Sequence, residues 1–165
     1  MALSSESNSL LSLESIMNLR NGRVGIVYTE WNDKIVAEQI AGAQRIAAQT
    51  NNQITKIVQV PGSFELPFAC RALHDATMQD NDNPNAIIAF GAVIRGGTPH
   101  FEYVSQAVTE GINHLNLTLT VPIIFGVLTL NSEEEAWERL GGVHGHKGEE
   151  AMIAALKMIK MKQLL

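Results

Sequence analysis

The chain has 165 residues, 45% of them apolar and 18% charged, and carries a formal net charge of −5. That length and composition suit one globular domain with a substantial core. The acidic balance and the lack of a basic run or arginine–aromatic strip speak against nucleic acid as a partner. No apolar stretch approaches the roughly 20 residues that span a bilayer, so no membrane partner is expected either.

Residues 1–21 mix leucines and serines with Glu6 and Glu14. They lack the positive start and continuous apolar centre of a signal peptide. They read as a flexible N-terminal arm on a cytoplasmic protein, leaving 22–165 as a single domain. Residues 23–28 form a short apolar run rich in β-branched side chains, the pattern of a buried strand. Asn32 or Asp33 then caps a helix whose apolar face is Val36, Ile40, Ala43 and Ala47. Residues 54–60 are a second strand, ended by Pro61-Gly62. Ser63 caps the next helix, through Leu66, Cys70 and Leu73, with Pro67 tolerated in its first turn. Cys70 is the only cysteine, so no internal disulfide forms, and its place in a helix suits a small core residue. Residues 79–84 are a polar loop.

The third strand, 86–93, runs into Gly96-Gly97-Thr98-Pro99-His100. The glycine pair permits positive φ and close approach of a ligand. Thr98 suits a helix cap and Pro99 a first turn. A glycine turn at a helix start offers free N–H groups and the positive dipole end to an anion. His100 adds the side chain suited to moving protons near neutral pH. An ordinary βα turn with a surface histidine has the same local pattern. The helix that follows carries Val104, Ala107, Val108, Gly111, Ile112 and Leu115 on one side. Residues 122–129 supply a fourth strand. Ser132-Glu-Glu-Glu135 reads as a capping box opening a short helix to Leu140. Gly141-Gly-Val-His-Gly145 interrupts the chain before a last helix over about 147–160.

Strands and amphipathic helices alternate throughout, which predicts a four-stranded parallel sheet covered on both faces, an α/β sandwich. Right-handed crossovers gather the strands' C-terminal ends on one edge, where ligands bind. Trp31, Phe64 with Glu65, the Gly96–His100 turn, and Phe125 with Arg139 and Lys147 are the groups of chemical interest. Each has a plainer alternative: a helix-docking tryptophan, a carboxylate favouring a helix dipole, solvated surface cations. His144 and His146 flank Gly145, but no convergent third or fourth ligand accompanies them, so no metal site is expected. His74 and His114 fall in helices as surface or packing residues.

Five motifs in this order carry a resemblance: Glu30-Trp-Asn-Asp33, Val60-Pro-Gly-Ser-Phe-Glu-Leu-Pro67, Gly91-Ala-Val-Ile-Arg-Gly-Gly-Thr-Pro-His-Phe-Glu-Tyr-Val104, Val121-Pro-Ile-Ile-Phe-Gly-Val-Leu-Thr129, and Glu138-Arg139 with Lys147-Gly148. Together they resemble the lumazine synthase family over residues 22–159. The resemblance implies a flavodoxin-like fold and a homopentamer with active sites between subunits. Such pentamers stay single, pair face to face, or close into an icosahedral shell. It implies condensation of 5-amino-6-(D-ribitylamino)uracil with 3,4-dihydroxy-2-butanone 4-phosphate to 6,7-dimethyl-8-ribityllumazine, phosphate and water, with no cofactor. It gives His100 the proton transfer. Trp31, Ser63, Phe64, Glu65, Val93 and Ile94 would bind the pyrimidine and its ribityl chain. Phe125 and Lys147 would come from the neighbour. Gly97, Thr98 and the neighbour's Arg139 would bind phosphate. Glu30 departs from the family pattern, standing where many relatives carry arginine. Two other readings compete. One is an archaeal-type riboflavin synthase, which would need no phosphate cradle. The other is a non-catalytic flavin-binding or shell protein, which would need neither His100 nor Arg139.

Overall fold

A computed structural model describes residues 12–77 and 83–165. Strand β1 is Arg23–Thr29, β2 Gln53–Val60, β3 Ala86–Ile94 and β4 Ile123–Leu130. The helices are α1 Asp33–Gln49, α2 Leu66–Thr77, α3 His100–Thr118, α4 Glu134–Glu138 and α5 Lys147–Gln163. The four long strands form one sheet in the order β2-β1-β3-β4, parallel at every pairing.

Alternation along the two central strands divides the core. Val24 and Ile26 of β1 and Ala86, Ile88 and Phe90 of β3 face helices α1 and α5. Val27, Ile87 and Ala89 face the opposite way, onto α2 and α3. Both faces of β1 and β3 are therefore buried, which explains their unbroken apolar runs. Each fully buried Ile or Phe contributes about 1.5–3 kcal/mol of transfer free energy. Gly111 fits this packing, because a Cβ there would lie 2.5 Å from Pro67 of α2. Cys70 is fully buried, and burial pushes its thiol up to about 12, the behaviour of a core residue rather than a nucleophile. No helix among the described residues is long and apolar enough to cross a membrane.

The expected fold class is the observed one, with three local corrections. The arm expected over 1–21 is packed in its second half. A 3-10 turn at Leu13–Ser15 precedes Ile16 and Leu19, and both of these join the core under α1 and α5. Their apolar side chains are too scattered to show a period, which is why the sequence hid them. Residues 1–11 lie outside the described residues, as do 79–82 of the expected polar loop. Second, the glycine-rich stretch after α4 is an ordered antiparallel hairpin, β5 Leu140–Gly142 and β6 Gly145–His146. The positive φ of Gly141 (110°) and Gly145 (75°) is what makes the turn possible. Third, the expected caps differ. Pro99 and Glu133 are the N-caps of α3 and α4, without side-chain cap bonds. Ser63 opens a 3-10 turn before α2. The reach-back half of the expected capping box exists, displaced by one residue: the Asn131 N–H donates to Glu135 Oε2 at 2.9 Å.

Candidate active site

The chain leaves β1 toward β2 on one side, and its next crossover carries it to β3 on the other. The C-terminal ends of β1 and β3 are thus the topological switch point of the sheet, where the loops must part. A cleft of about 600 Å³ opens there. Its lining joins Trp31 and Asn32 after β1 to residues 61–65 after β2. Ala92, Val93 and Ile94 of β3 and His100 and Val104 of α3 complete it.

Backbone bonds pin these loops together. The Glu30 N–H donates to Val60 O (2.8 Å) and the Trp31 N–H to Pro61 O (3.4 Å). Asn32 adopts the left-handed region (φ 59°), and its side-chain amide donates to Ala92 O at 2.8 Å. It is the α1 N-cap by position but makes no cap bond with its side chain, contrary to expectation. Its amide instead ties the first loop to β3. Asn32 was missed as a site residue; its type, favoured at positive φ, was the available signal.

Gly62 separates two of the chemical groups. A Cβ on it would lie 3.2 Å from a Glu65 carboxylate oxygen and 3.7 Å from the Trp31 indole. Trp31 and Phe64 are 73% and 62% exposed. Two large rings held in the open beside a cleft suit stacking on a flat ligand, not core packing. Ser63 is different: it is buried, with its hydroxyl packed toward Gly91 of β3.

His100 opens α3, is exposed, and has no side-chain partner among the described residues. The glycines before it do not use positive φ, so that expectation is corrected. Their environment explains them better: a Cβ on Gly96 or Gly97 would meet nothing within 4 Å. The turn is an open, side-chain-free surface. Among the described residues the N–H groups of Gly96, Gly97 and Thr98 have no acceptor, so they are free for an anion. Arg95, which the sequence reading passed over, braces this turn. Its guanidinium lies 4.1 Å from the Phe101 ring, pairs with Glu102, and donates to Asn131 at 3.3 Å. The Arg95 bond holds the Glu102 carboxyl below its ordinary value.

Phe125, Arg139 and Lys147 are not in this cleft. Phe125 sits on edge strand β4, in register with Ala89, and is 42% exposed. The backbones of Arg139 and Lys147 are adjacent although eight positions separate them. The hairpin closes with the Lys147 N–H donating to Arg139 O at 2.8 Å. The Arg139 guanidinium donates to Glu135 O at 2.9 Å, and Lys147 Nζ pairs with Glu150 at 2.7 Å. One chain therefore carries an aromatic cleft with a histidine and, outside it, Arg139 and Lys147 joined through the backbone of the hairpin. No group of three or more His, Cys, Asp or Glu among the described residues is placed to hold a metal.

The family model of 6,7-dimethyl-8-ribityllumazine synthase matches residues 21–163. The chain belongs to the 6,7-dimethyl-8-ribityllumazine synthase family. Relatives carrying that name include a Porphyromonas gingivalis protein, 40% identical over 92% of this chain and 92% of its own. One from Bacteroides fragilis is 43% identical over 83% of this chain and 94% of its own. One from Streptomyces avermitilis is 39% identical over 86% of each. The matched residues include both the cleft and Arg139 with Lys147.

Proposed function

We propose that this chain condenses 5-amino-6-(D-ribitylamino)uracil with 3,4-dihydroxy-2-butanone 4-phosphate, yielding 6,7-dimethyl-8-ribityllumazine. The primary amine attacks the ketone and water leaves as the imine forms. Phosphate departs, and the ribitylamino nitrogen closes the ring with loss of a second water. The observation that carries this reading is the exposed Trp31 ring and the Glu65 carboxylate on either side of Gly62, in a cleft that also holds the exposed Phe64 ring and His100. Trp31 stacks on the pyrimidine, Val93 and Ile94 form its apolar floor, and Ser63, Phe64 and Glu65 hold the ribityl chain. Glu65 accepts hydroxyl hydrogen bonds. Gly97 and Thr98 receive the phosphate on free N–H groups. Holding both substrates in register supplies much of the acceleration, since effective molarities of aligned groups are large. His100 moves the protons of imine formation and ring closure. Mixing the purified protein with both substrates and following the lumazine chromophore tests the reading. No chromophore above the uncatalysed rate would reject it.

The second half of the site comes from a neighbouring subunit. Phe125, Arg139 and Lys147 stand outside their own cleft, yet have the chemistry to cover a ring, bind phosphate and meet a carbonyl. A head-to-tail contact that repeats with rotational closure gives a ring, here a homopentamer working in the cytoplasm. Face-to-face pairing and a closed icosahedral shell are larger assemblies of the same unit. Sedimentation at micromolar concentration is expected to show the pentamer or a multiple of it. A fully active monomer would contradict the shared site.

His100→Ala is expected to slow turnover only modestly and to leave ribitylaminouracil binding nearly intact, because ring and chain are held elsewhere. A general acid–base group contributes about 10²–10⁴-fold in many enzymes, but this condensation is chemically feasible without one. The expected loss therefore lies at or below the low end of that range. Steady-state kinetics across pH decide it: an unchanged kcat at every pH would remove His100 from the mechanism.

A further inference from the structure

His146 was set aside as a metal ligand, and its actual contacts give it another role. It is the N-cap of α5, immediately before Lys147. Its Nδ1 accepts from the Glu149 N–H at 3.3 Å, and its Nε2 lies 3.0 Å from Glu38 Oε1 on α1. An acceptor at Nδ1 places the ring proton on Nε2, so the imidazole donates to the Glu38 carboxylate. Arg45, also on α1, donates to Glu38 at 3.1 Å and to Glu149 Oε1 at 2.9 Å. These contacts close a circuit: His146, Glu38, Arg45, Glu149 and back to His146. The His146 bond, followed by Arg45, holds the Glu38 carboxyl below its ordinary value.

The surroundings are built for this imidazole. Its side chain is 9% exposed. A Cβ on Gly42 would lie 2.6 Å from Nδ1 and 3.0 Å from the Glu149 nitrogen. Serine, threonine, aspartate and asparagine are the usual N-caps. Histidine is long enough to cap α5 and reach α1 at once.

We propose that His146 is a positioning residue: with Glu38, Arg45 and Glu149 it fixes the peptide from which Arg139 and Lys147 are presented to substrate. The link is short. Lys147 follows the cap directly, and its N–H closes the hairpin onto Arg139 O. Freeing the cap lets the start of α5 and the base of the hairpin shift together. The inference rests on the proposed contact of Arg139 and Lys147 with substrate.

Steady-state kinetics of His146→Ala, Arg139→Ala and the double variant test it, alongside thermal unfolding of each. His146→Ala is expected to raise KM for the butanone phosphate about tenfold, a size typical of a lost cap, with a smaller change in kcat. His146→Asn keeps an N-cap acceptor and is expected to recover most of that loss. In the Arg139→Ala background, removing His146 is expected to change KM for this substrate less than about twofold, because the group it positions is gone. Equal effects of His146→Ala in both backgrounds would overturn the inference, as would failure of His146→Asn to recover KM while unfolding at the parental temperature. If Arg139→Ala alone leaves that KM unchanged, the substrate contact itself fails, a result distinct from additivity.

Discussion

Arg139→Ala is expected to weaken capture of the butanone phosphate by about 1.5–3 kcal/mol, the usual size of a hydrogen bond to a charged group. That corresponds to roughly a 10- to 150-fold rise in KM for that substrate. The guanidinium already donates one bond to Glu135 O, which holds it in place while leaving most of its donors for an anion. Glu138 Oε2 lies 3.8 Å away, too distant for a hydrogen bond, so it does not take those donors. In the proposed site the ribitylaminouracil is held by the aromatic cleft instead, so its affinity is expected to move far less. Titrating each substrate separately checks this. Equal weakening of both would remove Arg139 from the phosphate site.

Phe90→Ala is expected to cost about 3–5 kcal/mol of stability, the range for a fully buried phenylalanine. Phe90 has no exposed surface, lies mid-way along β3 and packs in the core under α1 and α5. Its ring occupies the space that Gly126 of β4 leaves open: a Cβ on Gly126 would lie 2.6 Å from Phe90 Cδ1. The two positions should therefore be coupled. Gly126→Ala alone overpacks the sheet and destabilises it. In the Phe90→Ala background the same methyl enters vacated space and is expected to cost less, the remaining cost being its 2.9 Å approach to Ala89 O. Chemical denaturation of the four proteins measures the coupling. Strictly additive losses would show that Phe90 and Gly126 do not share the space.

Much of the candidate site was legible because its signals are local. Trp31, Phe64 and Glu65 stand in polar or glycine-bounded turns at strand ends, and side chains so placed escape burial. At the Gly96–His100 turn one of the two expected uses of the glycines is absent. They leave an open surface, as close approach requires, but do not adopt positive φ, and Thr98 leaves capping aside. Residues whose role depends on a distant partner gave no such signal. Asn32 looks like a cap in sequence and acts as a tie to Ala92, sixty positions away. His146 looks like half of a metal site and proves to be a cap bonded to Glu38.

The order of strands and helices, the parallel sheet with both faces covered, and the edge on which the candidate site lies are all written in the residue pattern. Apolar periodicity records which side of each element is buried, and crossover handedness does the rest. Long-range packing set the strand order β2-β1-β3-β4, and with it the switch point that opens the cleft between β1 and β3. It also decided that Arg139 and Lys147 lie together, across a hairpin hidden in a glycine-rich stretch. Periodicity says that a face is buried and not against what; adjacency is set by packing and hydrogen bonds between residues far apart in the chain.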